Sequence, residues 1–175
     1  MQDVTVIGID PGSRNTGWGV VREHSGKLEL LECGVIRTGR QGEVLFSDRL
    51  ACIYRELSDV LARLRPQEAA VEQIFTTVNA ATALKLGQAR GVAVAACAGA
   101  GLPICDYEPT LVKKTITGSG RAEKEQVQYM VARLLGVRDP HWALDTSDAL
   151  GIALCHLTMR RVARLEAAAG GRKRR

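Results

Sequence analysis

The sequence predicts an α/β fold: a mixed five-stranded sheet, three antiparallel strands followed by β-α-β, flanked by helices on both faces. Three observations lead there. Residues 4–10 (VTVIGID) form a near-continuous apolar run, as a strand buried on both faces does. Two further strand-like runs follow it across short turns. After residue 43 the hydrophobic period switches to that of a helix, and short apolar runs then alternate with helical stretches.

The elements follow in order. PGSRNTG turns the chain after the first strand, and residues 18–22 and 28–37 are two more strands split at Ser25-Gly26, which makes an antiparallel meander. In residues 43–64, Leu50, Ile53, Leu57, Val60, Leu61 and Leu64 recur at helical spacing, with Arg49, Arg55, Glu56 and Arg63 between them. Pro66 stops that helix. Residues 69–75 (AAVEQIF) are a buried strand, 79–100 an Ala-rich helix and 103–107 the fifth strand. A helical piece at 110–116 leads to a Gly-rich loop, and residues 123–136 and 146–165 are two further helices. Residues 1–166 are expected as one domain, and 167–175 as a basic, disordered tail.

Composition narrows the function. The 175 residues suit one domain with a core drawn from 46% apolar side chains. A formal charge of +5 favours a polyanionic partner without identifying it. Five cysteines, none in C-x-x-C spacing, argue against a disulfide framework or a zinc site. No apolar stretch is long enough to span a bilayer, and the first residues lack signal-peptide features, so a soluble, cytoplasmic protein is expected.

Four acidic residues stand out. Asp10 ends a buried strand, although D-P-G is also ordinary turn chemistry. Glu72 lies in an apolar strand, where an unpaired carboxylate is costly; an edge strand with Glu72 facing solvent is the alternative. Asp145 and Asp148 share one face at the head of the last helix, where an N-cap and a dipole partner are the plain readings. Together the four could converge. Clustered carboxylates need cations, and hard oxygen donors select Mg²⁺ or Mn²⁺; two such ions would suit phosphodiester displacement.

Five ordered motifs then carry a resemblance: GIDPGSRNTGWGVV, AAVEQIF, NAATALKLGQARGVA, VKKTITGSGRAEKEQVQ and LDTSDALGIALCH. From Val6 to about His156 the chain resembles the RuvC family of bacterial Holliday-junction resolvases, whose fold is RNase H-like. The resemblance implies a metal-dependent endodeoxyribonuclease that resolves four-way junctions by paired nicks. It places the catalytic and metal-binding acids on Asp10, Glu72, Asp145 and Asp148, with Asp145 the most replaceable, and implies Mg²⁺, two ions per site, with Mn²⁺ able to substitute. It further implies DNA contacts at Phe75, Lys113 and Lys124. Gly118 and Gly120 could offer backbone N–H groups to a phosphate, and Arg14, beside Asp10, could meet phosphate too. Val78 stands where the family is often basic.

Gly87, Gly91 and Ala95 recur every four residues and would let another helix approach, or pack on the chain's own sheet. The family's dimer interface uses this region, so Leu84, Leu86, Gly87 and Gly91 are the interface candidates. A homodimer is expected, working beside a RuvA–RuvB branch-migration complex. Three other readings stay open: an actin-like or sugar-kinase ATPase, for which the chain is short; a non-catalytic binder of branched DNA; and a single-strand or RNA-hybrid nuclease.

Overall fold

A computed structural model of the protein describes residues 3–39, 42, 44–74 and 79–172. The strands are β1 (Val4–Asp10), β2 (Asn15–His24), β3 (Lys27–Arg37), β4 (Glu68–Glu72) and β5 (Ile104–Tyr107). The helices are α1 (Phe46–Leu64), α2 (Ala80–Gly99), α3 (Pro109–Thr117), α4 (Lys124–Leu134) and α5 (Leu144–Arg172). One sheet runs β3-β2-β1-β4-β5. β3, β2 and β1 pair antiparallel, and β1, β4 and β5 pair parallel.

The mixed sheet and its order of elements match the expectation, while several boundaries differ. β2 is longer than residues 18–22, because its pairing with β3 continues out to Asn15↔Arg37 and His24↔Lys27. β4 ends at Glu72 rather than 75. The piece at 110–116 is a full helix with Pro109 in its first turn, where a missing N–H costs nothing. α5 begins at Leu144 and runs to Arg172, taking in residues 167–172 of the expected tail; the strong helix formers Ala167, Ala168 and Ala169 favour that continuation.

Side-chain alternation sorts the sheet into two faces. Ile7, Ile9, Trp18, Val20, Ala69 and Val71 meet α1 and α2 through Ile53, Leu57, Ala89 and Ala93. Val4, Val6, Val21 and Ala70 meet α3, α4 and α5 through Val112, Val127, Val131 and Leu150. Counting on by twos along β1 and β4, Asp10 and Glu72 fall on the α5 side.

Two glycines let α5 lie close on that side. A Cβ at Gly8 would sit 2.1 Å from the Ala149 carbonyl oxygen, and one at Gly17 would sit 2.0 Å from that of Asp145. Backbone atoms cannot yield as a side-chain tip can. Gly8→Val is therefore expected to cost about 3 kcal/mol or more, lowering the melting temperature by roughly 10 °C. Melting within about 2 °C of wild type would show that the sheet and α5 are not held in this contact.

Candidate active site

The site is assembled where strands end. Ile9 pairs with Val71 across the parallel β1–β4 ladder, so the next residues, Asp10 and Glu72, leave the sheet side by side. On β2, Gly17 pairs with Asp10 and also receives the Asp145 backbone from above. That contact sets the first turn of α5, bearing Asp145, over the ends of the strands. Asp145 lies inside this turn rather than capping it. Asp148 follows three residues later on the same helical face.

The charges of the other three acids all bear on Asp10. Burial pushes the Asp10 carboxyl up to about 8, and the charges of Glu72, Asp148 and Asp145 add to the rise, together with a hydrogen bond to Glu72. Glu72 is also raised, chiefly by burial and further by Asp148; its bond to Asp10 and the charges of Lys124 and Lys113 pull the other way. Burial and acidic neighbours thus disfavour the ionised forms of Asp10 and Glu72. Lys124 Nζ donates to Asp148 Oδ2 at 3.0 Å, and this bond holds the ammonium above its ordinary value. In this arrangement, no group of three or more His, Cys, Asp or Glu side chains among the described residues is set to hold an ion.

The other expected positions divide. Lys124 opens α4 and reaches the acids directly. Lys113 bears electrostatically on Glu72, yet its Nζ donates to the Ala122 carbonyl at 2.8 Å, tying α3 to the loop before α4. Gly118 has φ +82° and ends α3; its N–H donates to the Lys114 carbonyl, so a phosphate there would compete with the cap. Gly120 is half-buried against the Thr110 carbonyl. Arg14 is exposed on the turn after Asp10. Phe75 and Val78 lie outside the described residues.

On α2, Gly87, Gly91 and Ala95 are exposed, and Cβ atoms at the two glycines would meet nothing within 4 Å. That face does not pack on the chain's own sheet. Leu84 is 64% exposed beside it, and Leu86 is half-buried. One residue of the site's surroundings escaped the sequence reading. Arg49 stood only as one of the charges between apolar positions of the helix, yet it is buried against the turn after Asp10. Its spacing of four and eight from Ile53 and Leu57 was the available signal.

Comparison with known proteins extends this picture. A family model described as crossover junction endodeoxyribonuclease RuvC matches residues 6–156. The chain is 62% identical to the crossover junction endodeoxyribonuclease RuvC of Oleidesulfovibrio alaskensis, over 95% of this chain and 98% of that one. It is 60% identical to the protein of the same name from Nitratidesulfovibrio vulgaris, over 93% and 95%. Among solved structures, Thermus thermophilus RuvC in complex with Holliday junction substrate superposes with a TM-score of 0.84 at 35% identity, covering 91% of this chain and 96% of that one.

Proposed function

This chain belongs to the RuvC family of crossover junction endodeoxyribonucleases, and on that premise we propose that it resolves four-way DNA junctions by paired, symmetric nicks in recombination and repair. The observation that carries the reading is the convergence of Asp10, Glu72, Asp145 and Asp148 at one end of the sheet, beside Lys124.

The donor set fits hard divalent cations. Buried carboxyls held above their ordinary values by desolvation and acidic neighbours would be relieved by a doubly charged ion. Mg²⁺ is the expected ion, two per site, with Mn²⁺ as a substitute. Asp10, Glu72 and Asp148 would hold the pair, with Asp145 at its edge. When bound, the ions supply a polarised phosphate and an activated water for in-line displacement, leaving 5′-phosphate and 3′-hydroxyl ends.

The chain's own groups do the rest. Lys124, beside Asp148, would offer its ammonium to the DNA backbone. Arg14 and Lys113 would add positive charge, the Gly118–Gly120 loop is the proposed backbone phosphate contact, and Phe75 is the proposed base-stacking residue.

A junction separates into two ligatable duplexes only when two opposing strands are cut, and a two-fold dimer matches that symmetry. The α2 face of Leu84, Leu86, Gly87 and Gly91, continued by Ala95, is the proposed seam. Residues 1–166 act as one catalytic domain in the cytoplasm, alongside a RuvA–RuvB complex. Gly91→Leu, whose Cβ meets nothing within its own subunit, is expected to keep its circular dichroism spectrum, sediment as a monomer and leave junctions singly nicked.

A substrate panel tests the reading. The four-way junction is expected to be nicked at least ~100-fold faster than plain duplex, Y-shaped DNA or an RNA–DNA hybrid, a preference of about 3 kcal/mol. Equal cutting of the hybrid or the duplex would overturn junction specificity.

A further inference from the structure

The turn that follows Asp10 rests on a buried cation. Arg49, in the first turns of α1, is 5% exposed. Its Nη2 donates to the Ser13 carbonyl, and its Nε donates to Thr38 Oγ1 at 2.9 Å. The Phe46 ring centroid lies 6.0 Å from its Cζ.

Thr38 extends the support. Its hydroxyl donates to the Ser13 carbonyl at 3.0 Å and the Arg14 carbonyl at 3.3 Å, and its N–H donates to the Arg14 carbonyl at 3.0 Å. From below, the buried Thr16 donates its hydroxyl to the Gly12 carbonyl at 2.8 Å and accepts the Gly12 N–H at 3.3 Å. The carbonyls of Gly12, Ser13 and Arg14 are therefore all held, immediately after Asp10-Pro11.

The described partners of Arg49 are a carbonyl, a hydroxyl and a ring, none of them anionic. Burying a guanidinium is costly, and an apolar side chain would fill the same volume more cheaply. What an apolar side chain could not do is donate to Ser13 and Thr38 at once from a planar fork.

We propose that Arg49 is a positioning residue for strand cleavage: it braces the Gly12–Arg14 turn from behind, and so directs the Asp10 carboxylate and places Arg14 at the DNA. It does not touch the scissile phosphate. The inference rests on the nuclease reading above. It separates Arg49 from the basic residues that bind DNA directly, because a brace acts on the rate after binding. Small misplacements of reacting groups lower rates steeply while leaving a broad charged surface intact.

Arg49→Lys, Arg49→Met and Thr38→Val test this in the full chain, with folding checked by circular dichroism and melting. Single-turnover nicking of a four-way junction is measured at saturating protein, and junction Kd separately. Arg49→Met is expected to slow nicking about 100-fold with Kd within about threefold of wild type. Arg49→Lys, which reaches one acceptor at a time, falls between the two. Thr38→Val loses about tenfold, and the double variant Arg49→Met/Thr38→Val is no slower than Arg49→Met alone, since both act through one turn.

Variants that melt lower yet nick at the wild-type rate while folded would overturn the proposal. A loss confined to Kd would overturn it too. If Arg49→Met does not fold, Arg49→Lys and Thr38→Val are judged by the same two criteria. A wild type that cuts no junction overturns the nuclease reading itself; a wild type that cuts beside unaffected variants overturns the brace alone.

Discussion

Asp10→Asn and Asp148→Asn are each expected to slow junction nicking by about 10³-fold or more, roughly 4 kcal/mol of barrier, while junction affinity stays within about threefold. Both side chains belong to the acidic cluster: burial and the charges of its acidic neighbours raise the Asp10 carboxyl, and Asp148 accepts from Lys124. Each amide keeps the volume and one oxygen but removes the charge that a cation needs. Asp145→Asn is expected to be the mildest change. Its charge weighs least among the influences on Asp10, and an amide oxygen can still serve at the edge of the site. Nicking is read in single turnover on an end-labelled junction, and binding by gel shift in Ca²⁺. Asp148→Asn nicking within tenfold of wild type would place that residue outside the centre.

Asp10→Asn should also stabilise the fold, and the gain should depend on pH. The Asp10 carboxyl has a reference value of 3.8 and is pushed up to about 8 by burial, by its acidic neighbours and by its bond to Glu72. A carboxyl raised on folding contributes stability that is fully present below the unfolded value and is lost as pH rises through the folded one. The wild type should therefore lose stability between about pH 4 and pH 8, and Asp10→Asn should lose less. Above pH 8 the expected gain is on the order of 2 kcal/mol, about 5 °C in melting temperature. Divalent cations reverse the ranking. Mg²⁺ or Mn²⁺ should raise the wild-type melting temperature and leave Asp10→Asn nearly unmoved, because ligand binding stabilises only the state that holds it. Chelator should abolish nicking, while Ca²⁺, with its looser ligand sphere, should support binding with little turnover. Full activity in chelator, or the same cation response in Asp10→Asn, contradicts the account.

The centre of the sheet was legible because its signals were local. β1 is a continuous apolar run, and the β2–β3 turn at Ser25-Gly26 takes up positive φ at both residues, as its composition suggests. The faces were legible as well: period-two alternation along β1 and β4 puts Asp10 and Glu72 together once the strands are known to be parallel neighbours. The ends were not. β2 reaches Asn15 and His24 through pairing with β3, a long-range gain that residues 15–17 do not announce. Glu72 looked like the middle of a buried strand and stands at its end.

Side-chain roles outside the acids were harder to read, because they depend on partners distant in sequence. Arg49 has the composition of a solvated charge, and its burial follows from Ser13 and Thr38, 36 and 11 residues away. Lys113 and Gly118 looked available to DNA, yet one donates to Ala122 and the other caps α3. Conversely, the small residues of α2 left two readings open, and the open space at Gly87 and Gly91 shows that this face does not pack on the chain's own sheet.

The most direct measurement of the central claim is nicking by Glu72→Gln. Glu72 ends β4, half-buried, and is influenced by Asp10, Asp148 and both lysines. In one set of reactions, single-turnover nicking of a four-way junction in Mg²⁺ and junction affinity in Ca²⁺ are compared with wild type. The account predicts affinity within about threefold and a nicking rate lower by about 10³-fold or more, at least ~4 kcal/mol of barrier. Nicking near the wild-type rate would remove Glu72 from the chemistry and with it the claim that these four carboxylates form the nuclease centre.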